Sequence, residues 1–98
     1  ALYYILWRTA TMKQDMGFSE GLWLRLGTLI RRERDASGLS VREIQRRSGV
    51  SFRTLYAYER GEAQGGIIMG KYIALCRAIG ADPAQLLAEA MVQEGKAC

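Results

Sequence analysis

The chain is cut into short segments by its own punctuation, and this restricts the fold more than any other feature. From Phe18 onward, residues that start helices alternate with glycines placed where a helix stops. Ser19 is a helix cap by type, and Phe18 before it has hydrophobic-staple spacing to Trp23. A first helix is therefore expected from about Glu20 to Ser37. Its apolar positions Leu22, Trp23, Leu26, Leu29 and Ile30 follow three- and four-residue steps, and Gly38 closes it. Ser40 with Glu43 fits a capping box, which opens a short second helix through Arg47 with Val41 and Ile44 toward a core. Ser48-Gly49-Val50 makes a tight turn. Ser51 caps a third helix, Phe52 to Arg60, with Leu55 and Tyr58 inward and Gly61 at its end. After the loop Glu62 to Gly66, a fourth helix is expected over about Ile68 to Ile79, carrying Tyr72, Leu75 and Cys76 and stopped by Gly80. Asp82-Pro83 is a cap followed by a first-turn proline. A fifth helix then runs from Pro83 to about Glu94, with Leu86, Leu87, Ala90 and Met91 along one side. The expected fold class is all-α, with five helices.

Composition narrows the chemistry. The chain has 98 residues and no histidine, which removes the commonest general base, the middle of a Ser-His-Asp triad and the usual zinc ligand together. No enzyme motif is present, no cofactor is expected, and no metal site has the right ligand spacing. Cys76 lies within an apolar helical pattern and reads as a small core hydrophobe. Cys98 reads as an exposed thiol. Two lone cysteines without a signal peptide point to a reducing cytoplasm. The apolar run Leu2 to Trp7 is far shorter than the ~20 residues that cross a bilayer, so no membrane partner is expected. It is compatible with a buried strand, the start of an amphipathic helix or a subunit interface, and periodicity does not decide among them. The domain reading is therefore an N-terminal extension over residues 1–18 and a folded domain over 19–95.

Two short helices joined by Ser48-Gly49-Val50-Ser51, within a set of five, form the helix-turn-helix pattern. The run Leu39-Ser40-Val41-Arg42-Glu43-Ile44, then Ser48-Gly49-Val50-Ser51, Thr54-Leu55 and Tyr58-Glu59-Arg60-Gly61, resembles the Cro/cI, or XRE, family of phage and bacterial transcriptional regulators. Leu26-Gly27 and Ile30-Arg31-Arg32 upstream, and Ala74 to Pro83 ahead of Leu86-Leu87, extend that resemblance over about residues 22 to 92. It implies a lambda-repressor-like domain and a repressor-like regulator that binds double-stranded DNA, with the third helix in the major groove. Two departures stand out. Val41 replaces the family's usual Gln, removing a polar group that would touch a phosphate. Gln45 replaces a small Ala, implying looser packing or an altered crossing of the second and third helices.

Charge supports the same partner independently. Nine arginines between Arg25 and Arg60 face four acids there, giving +5, while the rest of the chain sums to −1. Every base in that half is Arg, the planar donor suited to phosphate and guanine. The resemblance implies base contacts from Phe52, Arg53 and Ala57, with Arg53 bidentate on guanine and the other two limited to a thymine methyl. It implies phosphate contacts from Arg42, Ser51, Thr54, Tyr56, Arg60 and Lys71. The competing reading of Phe52 and Tyr56 is packing between helices or onto a partner protein, and the resemblance implies a structural role for Glu59, with Arg31 or Arg34 as its partner. A small reading head favours a homodimer, joined through residues 2–7 or through Ala90, Met91 and Val92 at the end of the fifth helix. The alternative reading is a protein interaction module or antitoxin-type partner on the same fold.

Overall fold

The computed structural model describes residues 21–97, with side chains described through Gln93. Five helices and no strand occur among the described residues: α1 over 21–37, α2 Val41–Ser48, α3 Phe52–Arg60, α4 Met69–Ile79 and α5 Pro83–Ala97. The all-α expectation holds. Phe18 and Ser19, and with them the expected cap and staple of α1, lie outside the described residues, as do Leu2 to Trp7, the rest of the expected extension and Cys98.

The helix boundaries follow local chemistry. Ser40 Oγ accepts the Glu43 amide at 3.1 Å and Ser51 Oγ accepts the Thr54 amide at 3.2 Å, so both serines cap as expected. The capping box at Ser40 is only half formed. Glu43 turns its carboxylate to Arg46 and Arg47, each Nε donating at 2.9 Å, because two guanidiniums one turn away outcompete a single backbone amide. Asp82 Oδ1 accepts the Ala84 amide at 3.0 Å and starts α5 behind Pro83. The helix continues to Ala97, past the expected end near Glu94.

Leu26 and Ile30 of α1, Ile44 of α2, Leu55 of α3 and Leu75 and Cys76 of α4 form the most deeply buried layer. Tyr58 and Tyr72 join it with their hydroxyls spoken for: Tyr58 Oη accepts the Ile68 amide at 3.2 Å, and Tyr72 Oη donates to the Pro83 carbonyl. These bonds fasten the loop before α4 and the start of α5 to the core. Arg32 grips Glu89 with two donors at 2.7 and 3.1 Å, tying α1 to α5.

One expectation for α5 holds and one is corrected. Met91 lies on the same side as Leu87, where the two line an open apolar cavity with Trp23 and Leu26, although Met91 itself is 51% exposed. Ala90 is fully buried in its own subunit and is therefore unavailable as a dimer surface.

Candidate nucleic-acid interface

The α2-turn-α3 unit is held by contacts within a few residues of the turn. Gly49 adopts φ +74°, the left-handed conformation glycine takes cheaply, and returns its amide to the Gln45 carbonyl at 2.9 Å. Val50 then plugs the core while its amide donates to Ser48 Oγ at 3.1 Å. Gln45, expected to disturb the packing of α2 on α3, instead lies at the surface and accepts the Phe52 amide through Oε1 at 3.2 Å. A departure from the expected residue thus becomes a strut between the two helices. It satisfies one of the four amides that a helix start leaves open.

The inward face of α3 is fixed by Leu55, Tyr58 and Glu59. Glu59 is the buried acid of the described residues, and Arg34 of α1 answers it with Nε at 2.6 Å and a second donor at 2.9 Å. Arg31, the other candidate partner, is exposed. The same Arg34 guanidinium stands 5.9 Å from the Tyr56 ring centroid, and Tyr56 meets Phe52 edge-on at 6.2 Å and 71°. The Arg34 guanidinium has its pKa raised, chiefly by the Glu59 hydrogen bond.

The outward face of α3 carries the residues singled out from the sequence. Ser51, Phe52, Arg53 and Arg60 are exposed, and Thr54, Tyr56 and Ala57 are half-buried. Arg53, Thr54 and Ala57 come together with Lys71 of α4 around a shallow, open concavity of about 350 Å³ floored by the loop before α4. Phe52 and Tyr56 meet on the opposite flank of the helix. Arg42 stands apart in the first turn of α2. Arg60 has Glu62 3.3 Å away, with both side chains more than 60% exposed. Arg42, Arg53 and Lys71 make no ion pair with any other described residue.

Other arginines of the basic half are already engaged. Arg34 serves the fold, Arg32 binds α5, and Arg46 and Arg47 share Glu43, whose carboxyl they hold down at about 2. The positive charge around α3 is therefore narrower than the sequence count of nine arginines suggests. Sequence reading missed the Gln45 strut, the Glu43 clamp and the Arg34-Tyr56-Phe52 stack. Of these the clamp had a signal in the three- and four-residue spacing of Glu43 to Arg46 and Arg47, and the Phe52-Tyr56 half of the stack had one in its four-residue spacing. Among the described residues, no group of histidine, cysteine, aspartate and glutamate side chains could hold a metal ion, and no helix is long and apolar enough to cross a membrane.

The family model described as a helix-turn-helix domain matches residues 25–89. Two solved structures of the clp gene regulator ClgR from Corynebacterium glutamicum are similar. One has a TM-score of 0.66 at 31% identity, over 76% of this chain and 77% of that one. The second has a TM-score of 0.63 at 32% identity, over 74% of this chain and 91% of that one. No curated protein matches the chain.

Proposed function

This chain belongs to the helix-turn-helix domain family and is a DNA-binding transcriptional regulator, and from that membership we propose that it binds a specific double-stranded operator with α3 in the major groove and acts as a repressor by occupancy. The observation that carries the reading is the outward face of α3. Arg53 stands exposed in the first turn without an ionic partner among the described residues, beside Lys71 and the capped helix start at Ser51. A guanidinium kept free of internal pairing retains its five donors for a guanine edge. Phe52, Arg53 and Ala57 face bases in this docking. Arg42, Ser51, Thr54, Tyr56, Arg60 and Lys71 grip phosphates around them, which fixes register without reading sequence.

Gel-shift titration of a selected operator and of random duplex, each at several salt concentrations, tests this. Arg53→Ala is expected to cost about 1–3 kcal/mol on the operator and to relax preference at one G·C pair. Arg42→Ala and Arg60→Ala are each expected to flatten the slope of log affinity against log salt by up to about one unit, with preference intact. Equal loss on operator and random duplex for Arg53→Ala overturns the docking.

The regulator works as a homodimer that places two reading heads about 34 Å apart on one face of the duplex. The support is apolar surface around the end of α5. Met91 and Val92 are 51% and 56% exposed, and Met91 borders an open cavity of about 220 Å³ shared with Trp23, Met69 and Leu87. An exposed apolar surface of this kind marks an interface. Sedimentation of the parent chain should give the dimer mass, with Met91→Glu a folded monomer. A monomeric parent, or a Met91→Glu variant that stays dimeric, rejects this surface.

A further inference from the structure

Phe52 is an odd residue to leave at the start of a reading helix. The residue is 48% exposed, its ring has no hydrogen bond to offer, and it sits where side chains meet base edges in the docking proposed above, on which this inference rests. An unsupported surface aromatic would sample several rotamers and lose them on binding, offsetting the small gain from an apolar contact. This ring is supported. Behind it, Tyr56 meets it edge-on at 6.2 Å. Behind Tyr56 stands the Arg34 guanidinium, 5.9 Å from the ring centroid, and Glu59 locks that guanidinium with two hydrogen bonds. Exposure falls along the series, from 48% for Phe52 to 16% for the Arg34 side chain and 6% for that of Glu59. The stack therefore runs from a rigid anchor in the fold to a ring at the surface.

The geometry points to Tyr56 as a positioning residue that holds the Phe52 ring ready to read the C5-methyl group of a pyrimidine in the major groove. That methyl is the one apolar mark among the base edges there, and an aromatic ring without donors can recognise nothing else on them. The contact is short-ranged, so its value depends on the ring being held in place before binding. Tyr56 supplies this by the edge contact on one side while Arg34 holds Tyr56 on the other. The tyrosine hydroxyl plays no part in the support, which separates this role from a phosphate contact by the same residue.

The test uses the full chain and an operator selected from random duplexes, with each thymine replaced in turn by uracil, which lacks only the methyl. Wild type is expected to lose about three- to fivefold in affinity at one thymine per half-site, the value of roughly one buried methyl. At that position, an operator carrying cytosine should bind better when the cytosine is 5-methylated. Phe52→Ala should abolish the uracil penalty. Tyr56→Leu should cut it below twofold, the penalty being a ratio between thymine and uracil operators that a uniform loss from a missing phosphate contact leaves unmoved, and Tyr56→Phe, which keeps the ring, should retain it. Thermal melting of each variant verifies folding, and Phe52→Ala and Tyr56→Phe keep the test open if Tyr56→Leu does not fold. A penalty that survives in Phe52→Ala or Tyr56→Leu, or vanishes in Tyr56→Phe, overturns the inference. A wild-type protein that prefers a sequence but shows no uracil penalty overturns the inference alone. One that prefers no sequence overturns the functional reading and this inference with it.

Discussion

Gly27 in α1 has no room for a side chain. A Cβ built there would stand 1.8 Å from the Tyr58 carbonyl oxygen of α3, so the backbones of the two helices touch at this point. Tyr58 is a core residue and its carbonyl belongs to α3, so the clash falls on backbone that cannot step aside. Gly27→Ala should therefore destabilise by about 3 kcal/mol or more, at the severe end of overpacking. At roughly 4–8 °C per kcal/mol for a domain this size, thermal melting would register it as a large fall in Tm. A melting point at or above that of wild type would mean that α1 and α3 do not cross at residue 27. The same crossing sets Arg34 opposite Glu59, so the glycine governs the depth at which α3 is anchored.

Among the elements, α3 depends most on its first turn. Ser51 Oγ accepts the Thr54 amide and donates to Thr54 Oγ1 at 3.1 Å, while Gln45 takes the Phe52 amide. Ser51→Ala should cost about 1 kcal/mol of stability, the ordinary loss of an N-cap oxygen. Ser51→Asp keeps an acceptor and a charge that suits the helix dipole, so it should melt within a degree or two of wild type. It should nevertheless weaken binding to every duplex, because the added carboxylate would face phosphate in the proposed docking. Denaturant melts alongside gel shifts check both halves. A Ser51→Asp protein that binds as well as wild type would take Ser51 away from the backbone of the DNA.

At the scale of the whole molecule, the absence of histidine gives a stability that should be flat through neutrality. The changes lie at the two ends of the pH range. Burial pushes the Cys76 thiol and the Tyr72 phenol above their ordinary values. A group raised in the folded state contributes stability below its unfolded pKa and loses it as pH climbs toward the folded one, so stability should fall above about pH 9. On the acid side the hydrogen bonds from Arg46 and Arg47 hold Glu43 down at about 2, and Arg32 lowers Glu89. A depressed carboxyl contributes above its unfolded value, about 4.3, and that contribution disappears as pH drops toward the folded value. Both acids are at the surface, so the acid shoulder should be shallow and further reduced by salt. Melting temperatures from pH 3 to 10.5 check this, with Cys76→Ala expected to soften the alkaline fall. Stability still rising at pH 10 would contradict the burial of these two groups.

The amino-acid sequence by itself determined the elements. Ser40, Ser51 and Asp82 start helices, Gly38, Gly61 and Gly80 end them, and the apolar spacing in each segment turns Leu26, Ile44, Leu55 and Leu75 inward. These features depend on residues within about one turn of each other, a distance over which a linear pattern is also a spatial one. The outward residues of α3 were legible for the same reason. Only the tertiary structure decided who meets whom across the chain. Glu59 takes Arg34 at a separation of 25 residues and Glu89 takes Arg32 at 57. Ala90 is buried while Met91 beside it stays exposed, and Gln45 reaches across the turn to α3. Such pairings are set by how helices cross, and helix crossing depends on the shape of both surfaces at once, of which a local spacing carries only one side.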